Sequence, residues 1–550
     1  MTVKEGDTMR RDESSGNYAS GHDVHDRDVE NDEHDAPKKS WIGRYMDDLS
    51  KSDPELNYAP VVLPWRIGLF LLTSTIVQSL SYTAVSSLNN PHGTWTMKQS
   101  QQFSSLVYEM LYLGPVFGLC IDLTRIFGER FRPVIIIACA INAIAGFVAF
   151  GCNRVPSEYG SCLMLSWLIE VMVMFMYIPM NSVVINYGNR VVESPGETSA
   201  RIGGLMAQAM VWRSTGNFIE QIFENLGHGV YPKYHFQLRW FGLIMAIGSC
   251  VLIVQALFLT KRAYYTDYRK VSLKGSEPVR FYKNVAGIGK KALSNKAESP
   301  GLKLMFILCF NFIYLMIPDA LTGTRYSFNS HWSGQFSVGL KQTNAILGNL
   351  AAVLGALAYA LWMYFAQRSE STNGRLYRAN PFVILLVATA VWIFGIFFHF
   401  IGEMGSTNPH FSYKVFLQFE TIVVGACLRF TFMPTLSLAA MHAVRFYEST
   451  TFQLYSVSTS GAGVVCYPVT TSFMQSLGVT TLKGYWKALL LFMVLRCVPL
   501  LIAASLPKFR DDETIPAIAD HNEPLNEMDS DHPAKGTQHD ESDKLEHREN

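Results

Sequence analysis

"GPVFGLCIDLTRIFGERFRP", residues 114–133, begins as apolar chain and ends with Arg125, Arg130 and Arg132 crowded together. Asp122 sits four residues after Gly118, at the point where the hydrophobic run breaks. A soluble enzyme rarely needs this pattern. A helix that leaves a lipid bilayer and hands over to a short basic loop does, because charge is tolerated only where the hydrocarbon ends.

The rest of the chain supports that reading. Of its 550 residues, 49% are hydrophobic, 13% aromatic and 17% charged, with a net charge of +1. The polar residues concentrate at the ends. Residues 1–60 are rich in Asp, Glu, His and Ser, and 508–550 form an acidic stretch. Both are expected to be disordered cytosolic tails, since neither can bury enough apolar surface to offset chain entropy. The histidines and carboxylates near the start show no recurring ligand spacing, so no metal is expected. Between the tails we place about twelve runs of bilayer length, near 65–86, 103–121, 133–151, 162–186, 202–225, 238–260, 303–328, 342–366, 382–402, 413–436, 450–475 and 484–506. The fifth is the least hydrophobic, and Pro318 is expected to break the seventh. No signal peptide precedes the first run, so the first helix itself directs insertion.

Orientation follows from Lys and Arg. The segment 261–303 carries Lys261, Arg262, Arg269, Lys270, Lys274, Arg280, Lys283, Lys290, Lys291, Lys296 and Lys303 against Asp267, Glu277 and Glu298. The positive-inside rule places it in the cytosol, with the 122–132 and 368–378 loops on the same side and both termini cytosolic. This excess reads as a topology signal, not a nucleic-acid surface. Four chemistries find no support. The nine cysteines contain no CxxC pair and no zinc spacing. "GIGKK", 287–291, lacks the leading Gly and trailing Ser or Thr of a phosphate loop. No nucleophile–base arrangement stands out, and no cofactor is implied. The chain is therefore expected not to be an enzyme. Cys152 and Cys162 flank a short outward loop where a disulfide can form.

Six helices, a basic loop and six more helices form the layout of the major facilitator superfamily, two bundles around a central cavity. On this reading 61–260 is the N-terminal bundle, 261–303 the connecting loop and 304–507 the C-terminal bundle. Major facilitators carry Gly-x-x-x-Asp and a basic loop between their second and third helices, matched here by Gly118 and Asp122, with the next Gly late, at Gly128. That stretched loop resembles the folate–biopterin transporters, whose pattern is met by Pro115, Gly118, Asp122, Ile126, Gly128, Arg130 and Arg132. Three further stretches resemble the same family: "GGLMAQAMVWRSTG" (203–216), "IPDALTGTRYSFNSHWSGQF" (317–336) and "FMPTLSLAAMHAVRFYESTTF" (432–452), the last with Glu448 and Thr450 in its Glu-x-Thr positions. The resemblance spans residues 61–507. It implies an alternating-access carrier of folate, biopterin or a related organic anion in the plasma membrane, with proton coupling as an option. The chain departs from the family at Gly114, where a Lys is common, and at Arg445, Phe446 and Tyr447, where a Pro-x-Gly is expected. A major-facilitator porter of a sugar, amino acid or drug is the alternative, and a non-transporting receptor or scaffold on the same fold comes after it.

Candidate site residues come from charge and polarity at lipid depth, which is costly unless a cavity or partner receives it. Arg213, Asn217, Glu220 and Glu224 form one stripe of the fifth helix at i, i+4, i+7 and i+11. That stripe suits a water-filled cavity or, alternatively, an internal Arg213–Glu220 pair. Thr75, Gln78 and Tyr82 share a face of the first helix, where they can bind a polar solute or a neighbouring helix. Glu109 and Glu170 are candidate proton carriers. Glu420, Arg429 and Arg496 are further intramembrane charges. Glu420 and Arg429 lie nine residues apart, hence on opposite faces of one helix, so at least one is structural. Gly348, Ala352, Gly355 and Ala356 mark a close-packing face. Gly118, Asp122, Arg130, Arg132 and Glu448 are the gating candidates: the resemblance implies that the acidic position at 122 latches the two bundles. The expected partners are a small-molecule substrate and the bilayer, with no nucleic acid. The sequence leaves the oligomeric state open.

Overall fold

The computed structural model describes residues 62–89, 95–124, 126, 131–151, 158–191, 195–230, 234–258, 286–287, 290, 300–333, 338–368, 381–406, 413–444, 447–478, 485–503 and 506. The expected tails, Arg125, Gly128, Arg130, Cys152, Arg445 and nearly all of the 261–303 loop lie outside the described residues, and so does any Cys152–Cys162 pairing. In chain order the helices are α1 (Trp65–Ser87), α2 (Met97–Glu109), α3 (Gly114–Leu123), α4 (Arg132–Gly151), α5 (Tyr159–Val191), α6 (Pro195–Val230) and α7 (Tyr234–Phe258). They continue with α8 (Pro300–Ser333), α9 (Val338–Arg368), α10 (Pro381–Ser406), α11 (Tyr413–Met441), α12 (Glu448–Ser476), α13 (Tyr485–Leu495) and α14 (Val498–Ala503).

Eight stretches are long and apolar enough to cross a bilayer among the described residues: Trp65–Ser86, Arg132–Gly151, Tyr159–Gly188, Trp240–Phe258, Gln342–Phe365, Val383–Ile401, Val415–Met441 and Trp486–Ala503. Gly114–Leu123 and Gly301–Ile317 are shorter apolar helices. The expected fifth and eleventh spans are helical too, as α6 and α12, but too polar to join the eight. Large apolar side chains face outward along the helices, among them Ile144 (63% exposed), Phe258 (73%), Val494 (67%) and Leu501 (80%). Water would not tolerate such a surface, whereas lipid does. The chain is an all-helical, multi-pass membrane protein.

Two expected spans are not single helices. The second is α2, a 3₁₀ turn at Met110–Leu113 and then α3, which restarts with Pro115 in its first turn. The twelfth breaks at Arg496 and Cys497 between α13 and α14. Pro318, by contrast, does not break the seventh: α8 runs unbroken through it. α5 and α11 likewise continue through Pro179 and Pro434. A proline forfeits one backbone hydrogen bond, and in a membrane the remaining helical bonds have no water to compete with them.

Within the first half, α1 packs on α5, α6 and α7, and α4 packs on α5 and α7. Small residues set those spacings. A Cβ on Gly146 of α4 would meet the Ala246 Cβ of α7 at 2.9 Å, and Asn142 donates to Ser249 across the same contact at 3.0 Å. In the second half α11 packs on α9 and α10, and α8 on α12. Gly355 of α9 lies directly against the Ala426 carbonyl of α11, with Ala356 fully buried beside it, so the expected small-residue face is a helix contact. A seam joins the halves: α6 packs on α9 and α11, and α12 packs on α3 and α5.

Candidate functional site

One end of the seam is sealed by polar contacts at close range. Asp122, in the last turn of α3, is 2% exposed. Its carboxylate accepts hydrogen bonds from the Ser449 N–H (3.2 Å), the Thr450 N–H (2.8 Å) and the Thr450 hydroxyl (2.7 Å). These are the first backbone donors of α12, which have no intrahelical partner, and the negative charge also meets the positive end of that helix. A carboxylate of the first half thus caps a helix of the second. Gly118, one turn earlier, makes the approach feasible: a Cβ there would lie 2.9 Å from the Ser449 carbonyl group and from the Thr450 Cα. Ser182 of α5 and Ser449 share a hydrogen bond at 2.7 Å, and Ser437 of α11 donates to the Gly203 carbonyl of α6 at 3.4 Å. Glu448, buried in the first turn of α12, adds a second carboxylate at the same helix terminus. Burial, together with the Asp122 charge, pushes the Tyr447 phenol up from its ordinary value.

Asp122 therefore turns across the seam to α12. The Arg132 guanidinium donates to the Leu257 carbonyl at the end of α7, at 2.8 Å. Arg130 lies outside the described residues.

About 8–15 Å from that end, at 1.5 Å of helix rise per residue, lies a second layer of different character. Arg213 of α6 is 3% exposed. Its Nη1 donates to the Tyr177 hydroxyl of α5 at 3.0 Å, and its guanidinium carbon lies 4.5 Å from the centre of that ring. Its Nε and Nη2 groups, which form one edge of the guanidinium, have no hydrogen-bond partner. Across the seam, Arg429 of α11 donates from Nη2 to Ser214 at 3.1 Å, while its Nε is also unpartnered. Arg429 lies within electrostatic range of Arg213, Tyr177 and Tyr455, the last on α12. Phe432, 5.6 Å beneath Arg429, and Thr435, bonded to the Tyr455 hydroxyl at 2.8 Å, complete the wall. Two guanidiniums, Arg213 buried and Arg429 half-buried, one from each half, thus share a layer in which no carboxylate pairs with either among the described residues.

The other candidates are placed as follows. Asn217 accepts from Ser79 of α1 at 2.8 Å, and Glu220 accepts from Thr83 of α1 at 3.2 Å. Arg213 and Glu220 do not pair, and two turns of helix separate them. Glu224 accepts from Gln221 at 2.8 Å, and Gln221 in turn accepts from Asn349 of α9 at 3.1 Å, a link between the halves on the far side of Arg213. Gln78 donates to Tyr82 at 3.4 Å, whereas Thr75 bonds back to its own helix and lies against Gly216. Glu170 is buried with Oε2 unbonded. Glu109 closes α2, and its side chain lies outside those described. Glu420 pairs with His399 of α10 inside the second half. Arg496 donates to the Tyr314 carbonyl and stacks between Tyr314 and Trp392 at the α13–α14 break. Glu420 and Arg496 are engaged within the second half, and Arg429 is the charge that faces the seam. No group of metal-ligating side chains occurs among the described residues.

No protein-family model and no curated protein matches the chain. Among solved structures it is similar to the crystal structure of FucP, a major facilitator superfamily transporter, in the outward conformation. That likeness has a TM-score of 0.49 and 13% identity over 81% of this chain and 99% of that one. So distant a likeness carries no argument about the arginine layer.

Proposed function

We propose that the protein is a secondary transporter of major-facilitator type that carries a small organic anion by alternating access. The observation that carries this reading is the pair of Arg213, which is buried, and Arg429, which is half-buried, contributed by opposite halves, with unsatisfied donors and no carboxylate among the described residues to balance them. Placing unpaired guanidinium N–H groups in a membrane interior is expensive, so a site of this kind is built for an anion that comes and goes. Asp122 with Gly118 and Glu448 supplies the latch: contacts that hold one end of the seam closed while the site opens at the other. A latch must favour one state by only a few kcal/mol, since a stronger bias would stop the cycle.

The four stretches that resemble the folate–biopterin transporters make a folate or pteridine the first solute to test. Glu170, buried with a free carboxyl oxygen, is the described candidate for carrying a coupled proton. Orientation rests on the Lys/Arg excess of 261–303, which supports cytosolic termini. Uptake of a panel of labelled solutes at two external pH values, in cells that lack folate uptake, tests the whole reading. Accumulation of folate or another organic anion supports it. Correct delivery to the membrane with no uptake of any anion overturns it. Epitope tags at each terminus, reached only after permeabilisation, would support the orientation, and a tag accessible on intact cells would reverse it.

A further inference from the structure

The arginine layer constrains the charge of its ligand as well as the sign. Resting on the transport reading above, we infer that the site takes compact dianions, carrying either two carboxylates or one phosphate monoester, in preference to monoanions of the same size.

Charge balance is the first argument. Arg213, buried, and Arg429, half-buried and bonded to Ser214 beside Arg213, place two positive charges within electrostatic range of each other where no described carboxylate neutralises them. Glu220, on the same helix as Arg213, is engaged with Thr83, Glu420 is engaged with His399, and Asp122 and Glu448 sit at the sealed end. A monoanion would leave a net positive charge in a low-dielectric interior, and a dianion would not.

Donor geometry is the second. The free Nε and Nη2 groups of Arg213 form the side-on fork of a guanidinium, which receives two oxygens of one carboxylate or phosphate in parallel. Arg429 still offers its Nε from the other half. One ligand group can therefore fill the Arg213 fork while a second charged oxygen reaches Arg429. Because the two arginines belong to different halves, such a ligand bridges the seam. The aromatic side chains of Tyr177, Tyr455 and Phe432 neighbour the two guanidiniums and add no competing acceptor charge. Of the two solutes suggested by resemblance, folate carries two carboxylates on its glutamate tail and biopterin carries none, so the same argument ranks folate above biopterin.

The test is ligand-induced thermal stabilisation of the purified full-length protein, with paired probes that differ in one charge. The pairs are succinate and its monoamide, and glycerol 3-phosphate and its methyl diester. In at least one pair the dianion should bind about tenfold or more tightly than its partner, a gap of about 1.4 kcal/mol. The pair in which this occurs separates a dicarboxylate site from a phosphate site. Arg429→Gln should erase the gap, and the wild-type comparison stands by itself should that variant not fold. Anion binding with no charge preference in any pair overturns this inference and leaves the transport reading intact. No stabilisation by any probe, together with no uptake, overturns both.

Discussion

The two layers of the seam are built from similar parts and differ in how completely those parts are satisfied. At the sealed end a charged side chain of the first half finds three donors of the second, and small residues bring the backbones within van der Waals contact. In the arginine layer the charges from both halves have the same sign and keep unpaired donors. A saturated contact holds two halves together by itself, while an unsaturated one does so only with something bound between them. On the transport proposed above, closure falls to one layer and recognition to the other, which is the division of labour a carrier needs.

Gly118→Val is the most damaging way to challenge that division. The added side chain would collide with the backbone of Ser449 and Thr450, at an overpacking cost of about 1–3 kcal/mol placed on the closed state alone. Transport should fall to near background with normal membrane delivery, and a cysteine introduced near position 449 should become accessible to aqueous thiol reagents. Full activity would show that this end need not close. Arg213→Lys comes next. It keeps the charge but loses the planar fork, so apparent affinity should weaken by about 2 kcal/mol or more while expression and thermal stability stay close to wild type. Unchanged affinity would remove Arg213 from the binding layer.

Asp122→Asn is milder, because asparagine still caps a helix. Exchanging charge-assisted bonds for neutral ones should weaken the closed state by about 1–2 kcal/mol. Turnover should slow while substrate binds with near-normal affinity, as read by separate binding and flux measurements on the same preparation. Lost binding with intact turnover would transfer Asp122 from closure to recognition. Asn349→Ala should have the smallest effect, since it removes a single neutral bond to Gln221 on the far side of the arginine layer, worth about 1 kcal/mol. A loss as large as that of Gly118→Val would mean that the far side is the principal seal.

Helix positions were legible because bilayer thickness imposes a length on each apolar run, and α1 and α4 begin and end within a few residues of their expected bounds. The breaks were not. Pro318 carries the usual helix-breaking signal yet lies inside α8, whereas Arg496 gives no such signal and sits where α13 ends. In the site, Arg213 and Asp122 were visible as charges in apolar surroundings. Their partners were less so. Helical phase set Glu420 and Arg429 on opposite faces, but a single helix cannot say which face meets the other half of the chain. His399 settles it by engaging Glu420 within the second half. Tyr177 and Tyr455 left no trace, because an aromatic residue in an apolar run reads the same whether it packs against lipid, protein or an arginine. Asn217 and Glu220 lie on the expected stripe, but Ser79 and Thr83 of α1 already occupy them.

The cap on α12 has a consequence for hydration. When α3 separates from α12, the Ser449 and Thr450 N–H groups lose the Asp122 carboxylate at once, and water takes its place on them. Opening this end therefore takes up a small, fixed set of water molecules, and its equilibrium depends on water activity. Osmotic stress from a solute too large to enter the seam should slow the opening step without altering affinity at the arginines, and an opening rate indifferent to osmolality would show that the cap stays intact. On the transport proposed above, the wetting of a single helix terminus becomes a step in moving a solute across a membrane.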